Sequence, residues 1–229
     1  MQFDRNTRIV AEIIRANMTC APTRALVVGC GTGREAAQLA VTLGADVTGI
    51  DIEPRWDLAA AAVAKLQFGD ATALEFPDRT FDLVYSYHAL EHIPDFRRAL
   101  SEMKRVLADH GSYFVGTPNR QRLIGYLGSQ NTPLRNKIRW NASDWSARLR
   151  GKFRNEFGAH AGFTRTELQD ELSGGIGPAI NVTLPYYTSL YARKAGYVRL
   201  LDRMRLSSLL FPAIYFVGGK YGAGSAALQ

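Results

Sequence analysis

Cysteine is scarce in this chain. Cys20 and Cys30 are the only two in 229 residues, and neither lies at metal-ligand spacing from other thiols or imidazoles. A disulfide scaffold and a zinc site are therefore excluded, and a reducing compartment is expected. Long apolar runs are also missing. The longest, Leu209 to Val217, contains Pro212 and is far too short to span a bilayer. The first residues, Met1-Gln-Phe-Asp-Arg, show no basic region followed by an apolar stretch, so no signal peptide is predicted. A cytoplasmic protein is expected, with peripheral contact to a membrane left open. No internal repeat is evident, and nothing in the pattern calls for an obligate protein partner. Acidic residues are outnumbered, 21 against 28 Lys and Arg, for a formal charge of +7. That balance points to an acidic partner of some kind: nucleic acid, a phosphate-bearing metabolite or a membrane surface.

The most informative stretch is Ala25-Leu-Val-Val-Gly-Cys-Gly-Thr-Gly-Arg34. A short apolar run predicts a buried parallel strand. Gly29, Gly31 and Gly33 predict a tight turn, and Glu35 to Leu43 carries helical periodicity. A dinucleotide fingerprint requires its third glycine at position 34, where this chain has Arg34. The observed Gly-x-Gly-x-Gly suits a ligand without phosphates, such as a nucleoside carrying an amino-acid tail.

Similar punctuation recurs along the chain. Asp46 to Asp51 reads as a second strand ending in a carboxylate, eighteen residues beyond Gly33, which places Asp51 to hold ribose hydroxyls. Pro54 and the Ala-rich run Leu58 to Ala64 predict a helix. Lys65 to Phe68 is a third strand ending in Gly69-Asp70-Ala71, where a carboxylate and backbone N–H could bond a purine edge. Phe81 to Tyr87 is a fourth strand, Phe96 to Leu107 a helix, and Gly111 to Val115 a fifth strand. Before Phe81 comes an amino-terminal amphipathic helix, Arg5 to Met18, which would cover one face of the sheet. Strand and helix alternate with short crossovers, which predicts an α/β, doubly wound, mostly parallel sheet with ligands beyond the carboxyl ends of its strands. The glycine turn, Asp51, Asp70 and Tyr85 to His88 all fall at that edge.

Taken in order, Val28-Gly-Cys-Gly-Thr-Gly33, Gly49-Ile-Asp51, Gly69-Asp-Ala71, Phe81-Asp-Leu-Val84 and Ala89-Leu-Glu-His-Ile-Pro94 resemble the successive motifs of class I S-adenosylmethionine-dependent methyltransferases. Within them, they resemble the small-molecule group that includes ubiquinone and menaquinone biosynthesis enzymes. The resemblance covers about Ala25 to Pro118. It implies a seven-stranded Rossmann-like sheet and S-adenosylmethionine as cofactor, with S-adenosylhomocysteine as product. It further implies Gly29, Cys30, Gly31, Gly33, Asp51, Ile52, Asp70, Ala71, Tyr85 and Ser86 as the cofactor-binding residues. The chain departs from the family pattern at Val27, two positions before the first glycine, where a carboxylate is usual. The methionine ammonium thereby loses one acceptor.

From Thr117 the strand–helix pattern breaks. The stretch to Arg154 carries nine Lys and Arg against Asp144 alone, with Trp140, Trp145 and Phe153 interleaved. Inserted after the fifth strand, residues 117–160 are expected to form a basic, aromatic lid over an anionic or amphipathic acceptor, within one domain spanning 1–229. Thr164-Arg-Thr-Glu167 fits a capping box. Ile180 to Leu184 and Pro212 to Val217 are expected as the last strands, with one helix from Tyr187 to Leu210 between them. The tail 221–229 is expected to be flexible.

Methyl transfer from a sulfonium needs in-line alignment and exclusion of water. A base is required only where the acceptor must lose a proton, and histidine suits a phenol or enol. His88, His92 and His160 are the candidates. No metal site is predicted. The acceptor is expected to be a small or lipid-like molecule. Two alternatives remain from the sequence. Nucleic-acid methylation is suggested by the basic charge and opposed by the lack of an Asn/Asp-Pro-Pro-Tyr/Phe signature after the fourth strand. A non-catalytic protein bound at an anionic membrane surface is suggested by the basic stretch before Leu209-Leu-Phe211.

Overall fold

The computed structural model describes residues 4–126, 133–157 and 160–220. Helix α1 (Arg5–Asn17) starts at Asp4, whose carboxylate accepts from the N–H groups of Asn6 and Thr7. Its Ile9, Val10, Ile13 and Ile14 are buried, as the helical spacing predicts. There follow β1 (Arg24–Val28), α2 (Arg34–Leu43), β2 (Asp46–Asp51), α3 (Leu58–Ala61), β3 (Lys65–Phe68), β4 (Phe81–Tyr87), α4 (Phe96–Val106) and β5 (Leu107–Pro118). The second half holds α5 (Leu134–Leu149), α6 (Arg165–Gly175), β6 (Ala179–Asn181), α7 (Thr183–Leu190), α8 (Ala195–Arg203), α9 (Ser207–Leu210) and β7 (Ala213–Gly219).

The seven strands form one sheet in the order β3-β2-β1-β4-β5-β7-β6. All pairings from β3 to β5 are parallel, and β7 runs antiparallel to both β5 and β6. The chain order reverses between β1 and β4, so a crevice opens at the carboxyl ends of those two strands. This is the doubly wound sheet expected from the sequence.

Strand alternation sorts the core into two layers. Leu83 and Tyr85 of β4 point into a cluster with α1, α2 and α7, where Ile14, Leu39 and Tyr186 lie. Val84 points the other way, into a cluster with α4 and α6 that holds Leu100, Met103 and Leu172. The capping box opens α6 as predicted: Thr164 accepts from the Glu167 N–H, and Glu167 accepts from the Thr164 N–H, both at 3.2 Å.

Several boundaries differ from the expectations. β5 begins at Leu107 and not at Gly111, and β6 ends at Asn181 because α7 begins at Thr183, so Thr183 and Leu184 are helical. The helix after β2 is only four residues long and is capped by Asp57, which accepts from Ala59 and Ala60; Pro54 lies outside it. The single helix expected from Tyr187 to Leu210 is three helices joined by short turns. Tyr186 and Tyr187 of α7 and Val198 of α8 all bury in the same core layer. The chain bends after Tyr191 and again at Arg205, whose φ is +59°. The tail 221–229 lies outside the described residues.

Candidate active site

At the crevice the glycine turn meets the protein on one side and open space on the other. A Cβ at Gly29 would lie 2.4 Å from the Ala89 Cβ, and one at Gly33 only 2.2 Å from Leu66. These positions are glycine because the protein packs on them. Gly31 is different: its φ is +53° and nothing lies within 4 Å of where its Cβ would be. That open face gives onto a cleft of about 480 Å³, lined among others by Asp4, Cys30, Thr32, Glu35, Gln38 and Tyr87.

Asp51 sits against this turn. One carboxylate oxygen accepts from the Gly31 N–H at 2.8 Å and the other from Glu53 N–H at 2.9 Å. Each oxygen retains a lone pair for a further donor. The neighbouring Ile52 is 65% exposed, and so is Phe68 at the tip of β3 at 66%. Asp70 closes a turn on itself, one oxygen accepting from both the N–H and hydroxyl of Thr72 at 2.8 Å. Those bonds hold its carboxyl below the ordinary range. Ala71 is buried at its base. Cys30 is buried, which together with the nearby Asp51 pushes its thiol up to about 12 and makes it an apolar wall rather than a nucleophile.

The side chains of Tyr85 and Ser86 are placed differently from the other predicted cofactor residues. Both are fully buried. The Tyr85 ring stacks on Phe114 at 5.2 Å, and its hydroxyl donates to Glu35 at 2.5 Å. Ser86 alternates into the opposite core layer, and its hydroxyl has no partner. Of the predicted cofactor residues Gly29, Cys30 and Gly31 line the cleft of about 480 Å³, whereas Gly33, Asp51, Ile52, Asp70, Ala71, Tyr85 and Ser86 do not. Tyr87, one strand period beyond Tyr85, is the side chain that reaches it.

A second, larger cavity of about 830 Å³ lies beside the first, and Tyr87 lines both. Its walls are rich in aromatic rings: Tyr126, Trp140, Tyr186, Tyr187, Tyr191 and Tyr215, besides Tyr87. The Tyr87 and Tyr215 hydroxyls are 3.5 Å apart and their rings are stacked. Burial raises both well above the usual phenol value, so they act as neutral hydrogen-bonding groups.

All three predicted histidines line this cavity. His88 follows β4 with φ +53°, a conformation rare outside glycine. Its N–H donates to the Gly116 carbonyl at 2.8 Å. Its Nδ1 lies 3.4 Å from a carboxylate oxygen of Glu91, whose side chain is 1% exposed and whose second oxygen has no partner. The Nε2 of His92 lies 3.2 Å from the Nδ1 of His160. Burial and the neighbouring His92 hold His160 below an unperturbed imidazole. Among the described residues no group of His, Cys, Asp or Glu has the geometry to hold a metal ion.

Two arginines of the expected basic segment, Arg120 and Arg122, bond to main-chain carbonyls and carboxylates, although Arg122 also borders the large cavity. Arg122 is 3% exposed. It donates to the carbonyls of Asn119, Ala161 and His160 and pairs with Asp144 at 3.0 Å. Arg120 donates to the Gly162 carbonyl and pairs with Glu167. These two side chains fasten the inserted segment to the strand edge. Of the aromatic wall, Tyr87, Tyr126 and Trp140 fall in stretches that the sequence reading placed near the acceptor; the tyrosines of α7 and β7, Glu35 and Glu91 escaped it. Those tyrosines are far away in sequence from the Tyr85-x-Tyr87 alternation.

Residues 26–115 match the model of a methyltransferase domain. The chain is 38% identical over 105 residues to 2-methyl-6-phytyl-1,4-hydroquinone methyltransferase of Synechocystis, covering 43% of this chain and 33% of the relative. It is 38% identical over 99 residues to the chloroplastic tocopherol O-methyltransferase of Arabidopsis thaliana, covering 39% of this chain and 28% of that one. The chain thus spans about a third of the length of these relatives. Among solved structures it resembles phosphoethanolamine N-methyltransferase 2 of Haemonchus contortus, determined in complex with S-adenosylmethionine. That match has a TM-score of 0.57 at 17% identity, over 93% of this chain and 52% of the other. It also resembles the [4+2]-cyclase SpnF, with a TM-score of 0.55 at 18% identity, over 92% and 78% of the two chains. At such identities the likeness is one of fold. Residues 26–115 are thus similar to a methyltransferase domain, and the seven-stranded sheet has the fold of class I S-adenosylmethionine-dependent methyltransferases.

Proposed function

We propose that the protein transfers a methyl group from S-adenosylmethionine to a small, aromatic or lipid-like hydroxyl-bearing acceptor. The observation that carries this reading is the meeting of two cavities at Tyr87, one bordered by the glycine turn and one walled by aromatic rings. The open face of Gly31 fits a ligand lying against the main chain. Asp51 would hold the ribose hydroxyls, Ile52 would cover the adenine, and Asp70 with Ala71 would bond its edge. When bound, S-adenosylmethionine supplies a methyl group already activated on sulfur. The chain's own tasks are to seat the acceptor, exclude water and receive a proton.

His160 and His92 are assigned to the proton. Held below the usual imidazole value, His160 is neutral at pH 7, and a neutral ring nitrogen accepts a phenolic proton. The pair Glu91 and His88 is assigned to positioning, since a buried carboxylate fixes the ring beside it. The relatives are named for hydroquinone and tocopherol substrates, and a tyrosine-lined cavity suits such rings by stacking and hydroxyl contacts. An anionic acceptor has less support, because Arg120 and Arg122 are committed to main-chain carbonyls. Pro118, Arg122, Tyr126, Trp140 and His160 all border the large cavity, which supports 117–160 as the acceptor-side segment of a single domain.

Calorimetric titration with S-adenosylhomocysteine, followed by methylation assays on a panel of prenylated hydroquinones, tests this reading. Micromolar product binding and methylation of any panel member are expected. Absence of binding would overturn it. Contact with an anionic membrane is a second reading, favoured by α8. Tyr197, Leu200 and Met204 are exposed at 72%, 51% and 59%, at helical spacing on one stripe beside Arg199 and Arg203. Co-sedimentation with anionic vesicles is expected, and its failure removes this second reading.

A further inference from the structure

Strand β1 brings no carboxylate to the crevice. Val27, two residues before Gly29, is 1% exposed and apolar. In the β1–β4 register Val27 lies directly beside Tyr85, so any side chain at position 27 would neighbour that ring. The Tyr85 hydroxyl is bonded, at 2.5 Å, to a carboxylate that arrives from the other direction: Glu35, in the first turn of α2. The side of the sheet that lacks an acid on its strand is thus supplied with one from its helix.

Glu35 lines the cleft beneath the glycine turn together with Asp4, Gly31 and Tyr87. The other charged groups there are already occupied. Asp4 caps α1, and Arg34 is paired with Asp57. Glu35 is held by the hydroxyls of Tyr85 and Thr7, with His88 and the like-charged Asp4 at longer range, and among the described residues no Lys or Arg forms an ion pair with it. A carboxylate set into a cleft wall by neutral donors lacks the cation that such groups ordinarily carry. The cleft's expected ligand has one in the α-ammonium of its amino-acid tail.

We propose that Glu35 binds the α-ammonium of S-adenosylmethionine, with the Tyr85 hydroxyl holding the carboxyl in position. The assignment rests on the methyltransferase reading and adds to it the residue that replaces the carboxylate absent at Val27. Tyr85 then has a role although its ring is sealed in the core: it acts through Glu35 and touches no ligand.

The test is calorimetric titration of wild type, E35Q, E35A and Y85F with two nucleosides. S-Adenosylhomocysteine carries the ammonium, and 5′-methylthioadenosine shares the adenosyl thioether but lacks the amino-acid end. Loss of one charge-assisted bond should weaken S-adenosylhomocysteine at least about tenfold in E35Q and E35A, while 5′-methylthioadenosine stays within about twofold. Y85F should weaken S-adenosylhomocysteine by less than E35Q and spare the truncated nucleoside. Equal weakening of both nucleosides in E35Q would show a purely structural role and overturn the proposal. Unchanged S-adenosylhomocysteine affinity in E35Q would overturn it as well. Wild-type protein that binds neither nucleoside would overturn the methyltransferase reading itself, an outcome distinct from the other two.

Discussion

His92 and His160 lie 68 positions apart in the chain and place their ring nitrogens 3.2 Å from each other. One follows β4 and the other closes the inserted segment, so the pair exists only when that segment is seated. Since burial and His92 lower its proton affinity, His160 is charged only at pH below the ordinary imidazole range. Turnover should rise with pH on the acid side and be flat by about pH 7, with that limb set by His160. H160A should reduce kcat on the order of a hundredfold, with little change in S-adenosylhomocysteine affinity. A variant with an intact acid limb and full kcat would show that the proton goes elsewhere.

Asp51 accepts from the main chain through both oxygens while facing the glycine turn. Charge-assisted bonds to ribose hydroxyls contribute about 1.5–3 kcal/mol each. D51A should therefore bind S-adenosylhomocysteine at least about tenfold more weakly, with a cooperative melt retained. Unchanged affinity in titration would remove Asp51 from the site.

The glycines of the turn should separate by function. In G33A the new methyl meets Leu66 and φ is +79°, so loss of thermal stability should dominate. In G31A the methyl meets no protein atom, and the left-handed backbone costs about 1–2 kcal/mol. G31A should stay folded and lose cofactor affinity, because the methyl occupies the face open to the ligand. Melting curves and titrations of the two variants, taken together, distinguish these outcomes.

Arg122 is expected to matter for stability. Removing its side chain takes a donor from the carbonyls of Asn119, Ala161 and His160 and the cation from Asp144, a loss of about 3–5 kcal/mol for breaking a buried pair. R122K should recover little, since an ammonium cannot reproduce the forked geometry or the packing against Phe153 at 5.3 Å. Denaturant unfolding would show a lowered midpoint for both variants. Wild-type stability in R122A would mean that the segment is fastened by other contacts.

Glu35 carries a stability signature of its own. Burial, aided by Asp4 and opposed by Tyr85, His88 and Thr7, pushes its carboxyl up to about 7 from 4.5. Its folded-state pKa is raised, so the favourable protonated state is fully present below the unfolded value and is lost as pH rises through about 7. E35Q mimics that protonated state. The Tm advantage of ligand-free E35Q over wild type should be small near pH 4, grow with pH and level off above about pH 7. Parallel melts across that range check it, and a gap independent of pH would contradict the assigned environment.

The sequence by itself determined the sheet and the edge at which the candidate cofactor residues gather. Apolar runs of strand length followed by Gly29–Gly33, Asp51, Asp70 and Tyr85–His88 are local signals, and parallel connectivity forces their tips to one side. What the tertiary structure decided are relations between distant elements. Tyr85 and Tyr87 share one face of β4, two residues apart; Tyr87, at the carboxyl end of the strand, reaches the cavities, while Glu35 of α2 covers Tyr85. Glu35 reads as an ordinary acidic residue in a first helical turn until the Val27–Tyr85 register brings a hydroxyl to it. The arginines of the insertion read as a free basic surface, and folding spends Arg120 and Arg122 on carbonyl groups that strand ends and turns leave unpaired. The aromatic cavity draws on β4, α5, α7 and β7, whose order in the sheet is set by long-range packing. No spacing along the chain encodes that order.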